Sequence, residues 1–325
     1  MTNPTAQAAL PLWEIPSGAT PRLINVSENE TYMVEADGFK AILRLHRIGY
    51  HTKRAIDCEL AWSAALARDA DIITPVAIAG RDGALIQTVT LDGLPPRHAV
   101  LFEFIEGEHP SEDQDLAAAF ENLGALAAKT HQHSVDWQRP EPFERLTWDL
   151  DSVFSPTANW GDWRDAPNVT TDIRRVLERV ERVVIHRLNA FGKNPQNYGL
   201  IHADMRLANL LIKDGDTRLI DFDDCGFGWF LYDFAAAISF MEDHPQIPAL
   251  RAAWVKGYRT HRPLSDEEET VIDSLIMLRR MALLAWIGSH MEATEPQALA
   301  PDFARVTAEL GKAYLEKMSL LTRPD

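Results

Sequence analysis

Between Leu200 and Gly228 the sequence reads LIHADMRLANLLIKDGDTRLIDFDDCGFG. The stretch holds a His-x-Asp at His202 and Asp204, an Asn at position 209, and carboxylates at Asp221, Asp223 and Asp224. Carboxylates and a carboxamide are hard oxygen donors, the kind Mg²⁺ takes from protein while water and phosphate oxygens fill its other positions. A carboxylate left out of metal binding can accept a proton from a hydroxyl nucleophile. Such a set can hold a divalent cation and remove a proton; a surface hairpin with solvated acids is the plain alternative.

The set needs elements that bring it together. The runs NLLIK and TRLIDF flank Asp214-Gly215, a pair that favours a tight hairpin turn. Asn209 then opens the first strand and Asp221 ends the second, so the two become neighbours able to face one metal ion. Asp204 lies in the loop just before and is left free to act as a base.

His-x-Asp-x4-Asn, a hairpin and a following Asp make up the layout of protein-kinase-like phosphotransferases. The chain resembles the aminoglycoside phosphotransferase and choline kinase family, which also includes type II homoserine kinases. HADMRLAN resembles the family's catalytic loop, LIDFDDCG its metal segment and YDFA its next helix. The likeness covers most of the chain, with these motifs between His202 and Ala235. It implies Asp204 as catalytic base, Asn209 and Asp221 as Mg²⁺ ligands, His202 as a brace of the loop and Asp233 as its tether. Two positions depart from the family pattern: Ala203 stands where Gly is common, and Arg206 where a His is common. Many protein kinases place a Lys near the transferred phosphate at that second position, so Arg206 reads either as a phosphate contact or as an exposed loop arginine. Asp223 and Asp224 read as reinforcing the metal field, facing the substrate, or solvated.

At the nucleotide end, AILR in a predicted strand resembles the kinase VAIK, with Arg44 in the Lys place and Glu59 on the next helix as its ion-pair partner. Arg is a planar fork and Lys a point charge, so the two are not equivalent, yet an Arg can serve both Glu59 and phosphate oxygens. No Gly-x-Gly-x-x-Gly precedes it. NVSENETY occupies that place, where Ser27 and Asn29 could offer donors to phosphate. LFEFIEG resembles the interlobe hinge, putting the backbone of Glu103 and Ile105 against adenine.

Around these motifs the first third reads as strands with one helix. PRLINV, ETYMVEA and FKAILRL, split by SENE and Asp37-Gly38, are followed by a helix over TKRAIDCELAWSAALARDA and strands TPVAIAG, ALIQTVT and HAVLFEFI. From Ser111, where a capping-box variant begins, helical periodicity takes over. TTDIRRVLERVERVVIHRLNAFG is strongly amphipathic, with Gly192 suited to its end. Further helices are predicted near Phe230–Met241, Ile247–Tyr258, Asp266–Ile287 and Pro301–Leu321. Between the helix from Ser111 and the amphipathic one, a segment from Trp137 to Val169 mixes Trp148, Phe154, Trp160 and Trp163 with Asp149, Asp151, Asp162 and Asp165. Aromatics with acids can enclose an ammonium group; core packing is the commoner reason for buried Trp.

The expectation is an α+β, bilobed, protein-kinase-like fold. Residues 1–106 form a nucleotide-binding lobe, a small antiparallel sheet with one helix. Residues 107–325 form a helical lobe with the catalytic loop and substrate site. The implied cofactors are ATP and Mg²⁺. Net charge of −16, from 48 acidic against 32 basic residues, disfavours nucleic acid; two acidic runs, Glu103 to Asp115 and Asp221 to Asp243, suit metal or a cationic substrate, and the resemblance implies a small molecule bearing a hydroxyl. No apolar run of membrane-spanning length and no leader pattern is evident, and Cys58 and Cys225 make no disulfide framework, so cytoplasm is expected. A protein Ser/Thr kinase of the same fold is the second reading, although only eleven residues separate Asp221 from Asp233 and no Ala-Pro-Glu follows. A nucleotide-binding pseudokinase is the third.

Overall fold

The computed structural model describes residues 3–110 and 116–321. The helix start read at Ser111 lies outside these residues. The chain divides into two units. The first comprises Met1–Glu108, Gln138–Arg145 and Leu211–Asp223; the second comprises His109–Trp137, Leu146–Leu210 and Asp224–Asp325.

The first unit opens with a short helix that the sequence reading did not foresee, α1 (Pro4–Ala9), capped by the Asn3 side chain. Strands β1 (Thr20–Val26), β2 (Glu30–Ala36) and β3 (Phe39–Leu45) follow, then helix α2 (Lys53–Asp69), β4 (Ala77–Ile78), β5 (Gln87–Val89) and β6 (Arg97–Glu103). They form an antiparallel six-stranded sheet in the order β1-β2-β3-β6-β4, with β5 also paired to β6. Alternation along β3 decides what each face carries. Ala41, Leu43 and Leu45 join Trp13, Tyr32 and Leu101 in one buried cluster. Ile42 packs with Ile56 and Leu60 of α2 in the other cluster, and Arg44 shares that face. Helix α2 starts where the Thr52 hydroxyl accepts from Ala55 N at 3.0 Å, satisfying an otherwise orphaned donor.

The second unit begins with α3 (Ala117–Asp136), followed by β7 (Leu146–Trp148), α4 (Leu150–Phe154), α5 (Thr171–Phe191) and β8 (Tyr198–Ile201). The chain then gives the first unit a hairpin, β9 (Leu210–Lys213) and β10 (Asp216–Leu219), turned at Asp214 and Gly215 with φ of 55° and 89°. Both central residues have positive φ, the requirement of the twist-matched two-residue turn. Strand β11 (Gly226–Trp229) returns to the second unit, parallel to β7 and antiparallel to β8. Helices α6 (Tyr232–Ala237), α7 (Ile247–Tyr258), α8 (Asp266–Ser289) and α9 (Thr294–Leu321) complete it.

Two helix limits differ from the sequence reading. Helix α6 is shorter than Phe230–Met241, and Phe240 beyond it takes a φ of 71°. Helix α9 begins at Thr294 and carries Pro301 inside it, so the proline read as a start is an interior residue. Within the unit α3 and α7 cross at their glycines. A Cβ on Gly124 would lie 2.0 Å from Trp254 O, and one on Gly257 would lie 1.8 Å from Glu121 O.

Candidate active site

The loop after β8 is fixed from beneath by one carboxylate. Asp233, fully buried in the first turn of α6, accepts from Ala203 N at 2.7 Å and from His202 N at 3.1 Å. Its Oδ2 also meets His131 Nε2 of α3 at 2.9 Å, and His131 Nδ1 meets the Tyr258 hydroxyl of α7 at 3.0 Å. Held this way, Ala203 sits at a φ of 65°, a left-handed conformation that strains any residue with a Cβ. That conformation explains why glycine suits the position. The His202 ring accepts from Asp204 N at 3.3 Å.

Asp204 is gripped on both oxygens. Asn209 Nδ2 donates to Asp204 Oδ2 at 2.7 Å and to its backbone carbonyl at 2.8 Å. Arg206 Nε reaches the same Oδ2 at 3.2 Å, while Arg279 Nη2 of α8 donates to Oδ1 at 2.8 Å. Burial pushes the Asp204 carboxyl toward a higher pKa, but Arg206, Arg279, His202 and Asn209 outweigh it and hold the group below the usual aspartate value. Asp204 is therefore anionic at neutral pH. Asn209 spends its amide nitrogen on Asp204, and its amide oxygen accepts nothing from the described residues. Arg206 is only partly exposed and also meets Glu295 at 3.3 Å, so it is a bridged side chain and not a solvated one.

In the first unit, Arg44 Nη2 donates to Glu59 Oε1 at 2.5 Å, with both residues buried. Its Nη1 lies 3.8 Å from Asp221 and 3.8 Å from Asp223. Burial alone would lower the Arg44 pKa; Glu59, Asp223 and Asp221 more than offset this and raise it above the ordinary arginine value. Asp221 lies just past β10 at a φ of 62°, with its side chain 52% exposed, whereas the side chain of Asp223 is 8% exposed. His46 and His51 face Asp223 at 3.7 and 3.5 Å, and Arg145 donates to its carbonyl. Burial works against the charge on Asp223, yet His51, Arg44 and His46 hold its pKa far below the usual range.

Comparison with known proteins gives these two clusters a context. The model of the phosphotransferase enzyme family matches residues 22–267. The chain belongs to this family. With membership comes the activity, transfer of a phosphoryl group from ATP to a hydroxyl, on a protein-kinase-like α+β fold. A solved microcompartment-associated aminopropanol kinase shares 40% identity at a TM-score of 0.89, covering 96% of this chain and 97% of that one. The amicoumacin kinase hAmiN, solved with AMP-PNP, Ca²⁺ and Ami, shares the fold at 20% identity and a TM-score of 0.75, covering 96% and 92% of the two chains. Amicoumacin kinase of Bacillus subtilis is 25% identical over 220 residues, 67% of this chain and 56% of that protein, so the match spans just over half of that relative.

For this phosphotransferase the remaining sequence-predicted residues fall as follows. Ser27 and Asn29 lie in the β1–β2 turn, closed by Ser27 N on Asn29 O at 3.0 Å; the buried Asn29 side chain accepts from Arg47 N at 3.1 Å. Glu103 ends β6, and its N–H is engaged by Val76 O at 2.9 Å. Ile105 follows it, partly buried. The Trp-rich segment is core: Trp148 and Trp163 are buried, their indole N–H groups donating to Asp224 O and to Glu181, and Asp149 and Asp162 serve as helix caps. Taken separately, the Asn209 amide oxygen, which accepts nothing from the described residues, and the half-exposed Asp221 carboxylate are each oxygen donors of the kind a hard cation takes.

Sequence reasoning missed Arg279, the contact of His131 with Asp233, and the placement of His46 and His51 against Asp223. A signal for Arg279 existed, since Arg279-Arg280 interrupts the otherwise apolar run LIMLRRMALLAW.

Proposed function

We propose that this phosphotransferase moves the γ-phosphoryl group of Mg-ATP to the hydroxyl of a small amino alcohol. The clasp of Asn209 on Asp204, which leaves one side chain anionic and the other with a bare oxygen, carries the chemical part of the reading. The acceptor class rests on the 40% identity, over nearly the whole of both chains, to an aminopropanol kinase.

In this reading Arg44, fixed by Glu59, binds phosphate oxygens, with help from the Ser27–Asn29 turn, and the backbone at Glu103 and Ile105 meets adenine. Asn209 and Asp221 serve as ligands for Mg²⁺, which when bound neutralises phosphate charge. Arg206 contacts the transferred group. The acceptor oxygen forms its bond to the γ-phosphorus as the bond to the β–γ bridging oxygen breaks, and Asp204 takes the hydroxyl proton. A carboxylate with a lowered pKa is a weak base, so proton transfer comes late and Asp204 mainly orients the hydroxyl.

ATP consumption measured with 1-amino-2-propanol, choline, homoserine, an aminoglycoside and a generic protein substrate tests this. Turnover should require a divalent metal and be highest with a small amino alcohol. Asp204→Asn should lower kcat by about 10²–10⁴-fold and leave nucleotide binding intact. Full turnover in that variant, or preference for the protein acceptor, overturns the reading.

A further inference from the structure

Arg279 sits midway along α8 with its neighbours Leu278, Met281, Ala282 and Leu283 buried, and is itself 2% exposed. Burying a guanidinium is costly unless ion pairing and hydrogen bonds compensate, and one placed for stability tends to have its donors filled. Arg279 does not. Its Nη2 bonds Asp204, its Nε bonds Ser239 Oγ at 3.2 Å and the Tyr232 hydroxyl favours its charge, while the buried Nη1 meets no acceptor at hydrogen-bond geometry. The next residue provides a contrast. Arg280 pairs with Glu242 at 2.5 Å, bonds Thr307 at 2.9 Å and lies 3.5 Å from the centre of the Phe303 ring, tying α8 to α9. One helix thus carries an arginine that joins helices and another whose ion-paired carboxylate is Asp204.

The guanidinium of Arg279 is also immobilised. It lies 5.3 Å from the Trp160 ring centre and 5.9 Å from that of Tyr232, two buried aromatics that leave it little freedom to turn. Asp204 lies on a loop, and loops position side chains less rigidly than helices do. Asn209 and Arg206 hold Oδ2 from within the same loop. Arg279 supplies the hold on Oδ1 from a long core helix.

From this geometry we infer that Arg279 is a positioning residue for transfer: it fixes the Asp204 carboxylate so that the acceptor hydroxyl is presented in line with the phosphoryl group. The inference rests on the phosphotransferase reading of Asp204. A displacement of about 1 Å in such a group can cost 10²-fold in rate, because near-attack geometry is lost while binding is retained.

The test is Arg279→Ala assayed beside wild type, with the folded fraction of each fixed by thermal melting. The kcat should fall about 100-fold with KM for ATP within about threefold. Added guanidinium ion, which can occupy the vacated space, should recover at least tenfold in kcat, and should recover nothing in the Asp204→Asn, Arg279→Ala double variant. A kcat near wild type overturns the inference, as does a loss that merely follows the unfolded fraction without guanidinium recovery. Should the alanine variant not fold, Arg279→Lys and Arg279→Met decide. The lysine retains a charge for Oδ1 and should exceed the methionine variant at least tenfold in kcat; equal rates overturn the inference. Wild type that turns over while these variants fail to respond removes only the role of Arg279. Wild type with no turnover on any acceptor removes the function and this inference together.

Discussion

Asp233 lies beneath the loop and away from the reacting atoms, yet three groups depend on its carboxylate: the amides of His202 and Ala203 and the ring of His131. Asp233→Asn keeps the shape but replaces one accepting oxygen with a donor. Either Ala203 N or the His202–His131 side then faces an N–H, and a buried donor is left unsatisfied. A charge-assisted bond is worth about 1.5–3 kcal/mol net, and the orphaned group adds to the loss. Urea unfolding should show the variant destabilised by about 2–4 kcal/mol, with kcat reduced because the loop carrying Asp204 has lost part of its tether; a wild-type midpoint would contradict this role. The identity of Asp233 was readable from YDFA, close to the loop in sequence. Its partner His131 was not, since the contact joins residues 102 apart, and a histidine near a helix end carries no mark of what it faces. The same holds for Arg279, which meets Asp204 across 75 residues.

Helices α3 and α7 show how an element serves the site at a distance. Alpha-helical propensity alone predicts that Gly257→Ala stabilises by roughly 0.5–1 kcal/mol. Packing gives the opposite sign. The added methyl would stand 1.8 Å from Glu121 O and 3.1 Å from Ala125 N, backbone atoms that cannot swing aside. The helices must separate, and α3 carries His131 against Asp233. Overpacking of this kind costs about 1–3 kcal/mol, more than propensity returns. Chemical unfolding should therefore find Gly257→Ala net destabilised, and a stabilised variant would show that the crossing gives way easily. Short-range elements were the legible ones: the Asp214-Gly215 hairpin, α2 with Glu59, and β3 with Arg44 on its helix-facing side all follow from turn chemistry and periodicity. Helix crossings, the start of α9 ahead of Pro301, and the use of the Trp-rich segment as core depend on tertiary contacts that no local pattern encodes.

Across the whole molecule, buried histidines set how stability responds to acid. Burial lowers the pKa of His131, with Asp233 pulling part of the way back, and burial with Arg44 lowers that of His46 well below the ordinary value. In the unfolded chain each histidine takes a proton near pH 6.5, about the ordinary value, while in the folded protein it stays neutral to lower pH. The unfolded state therefore holds more protons below that point, and stability falls as pH falls through the window beneath it, by about 1.4 kcal/mol per pH unit for each such histidine. Asp204 and Asp223 do not contribute there. Their folded pKa values are lowered, so their share of stability is lost only as pH drops beneath the ordinary aspartate value of 3.8. Glu242 acts in the opposite direction. Burial raises its pKa despite Arg280, so it binds a proton in the folded state first and gains stability as pH falls. The difference between wild type and His131→Gln removes that background, because Glu242 is common to both. As pH falls below 6.5 wild type should lose stability more steeply than the variant, by at most about 1.4 kcal/mol per unit, and the two unfolding curves should diverge toward neutral pH. Parallel curves would mean that His131 is protonated in the folded protein, and that the grip of α3 on the Asp233 carboxylate is an ion pair and not a neutral hydrogen bond.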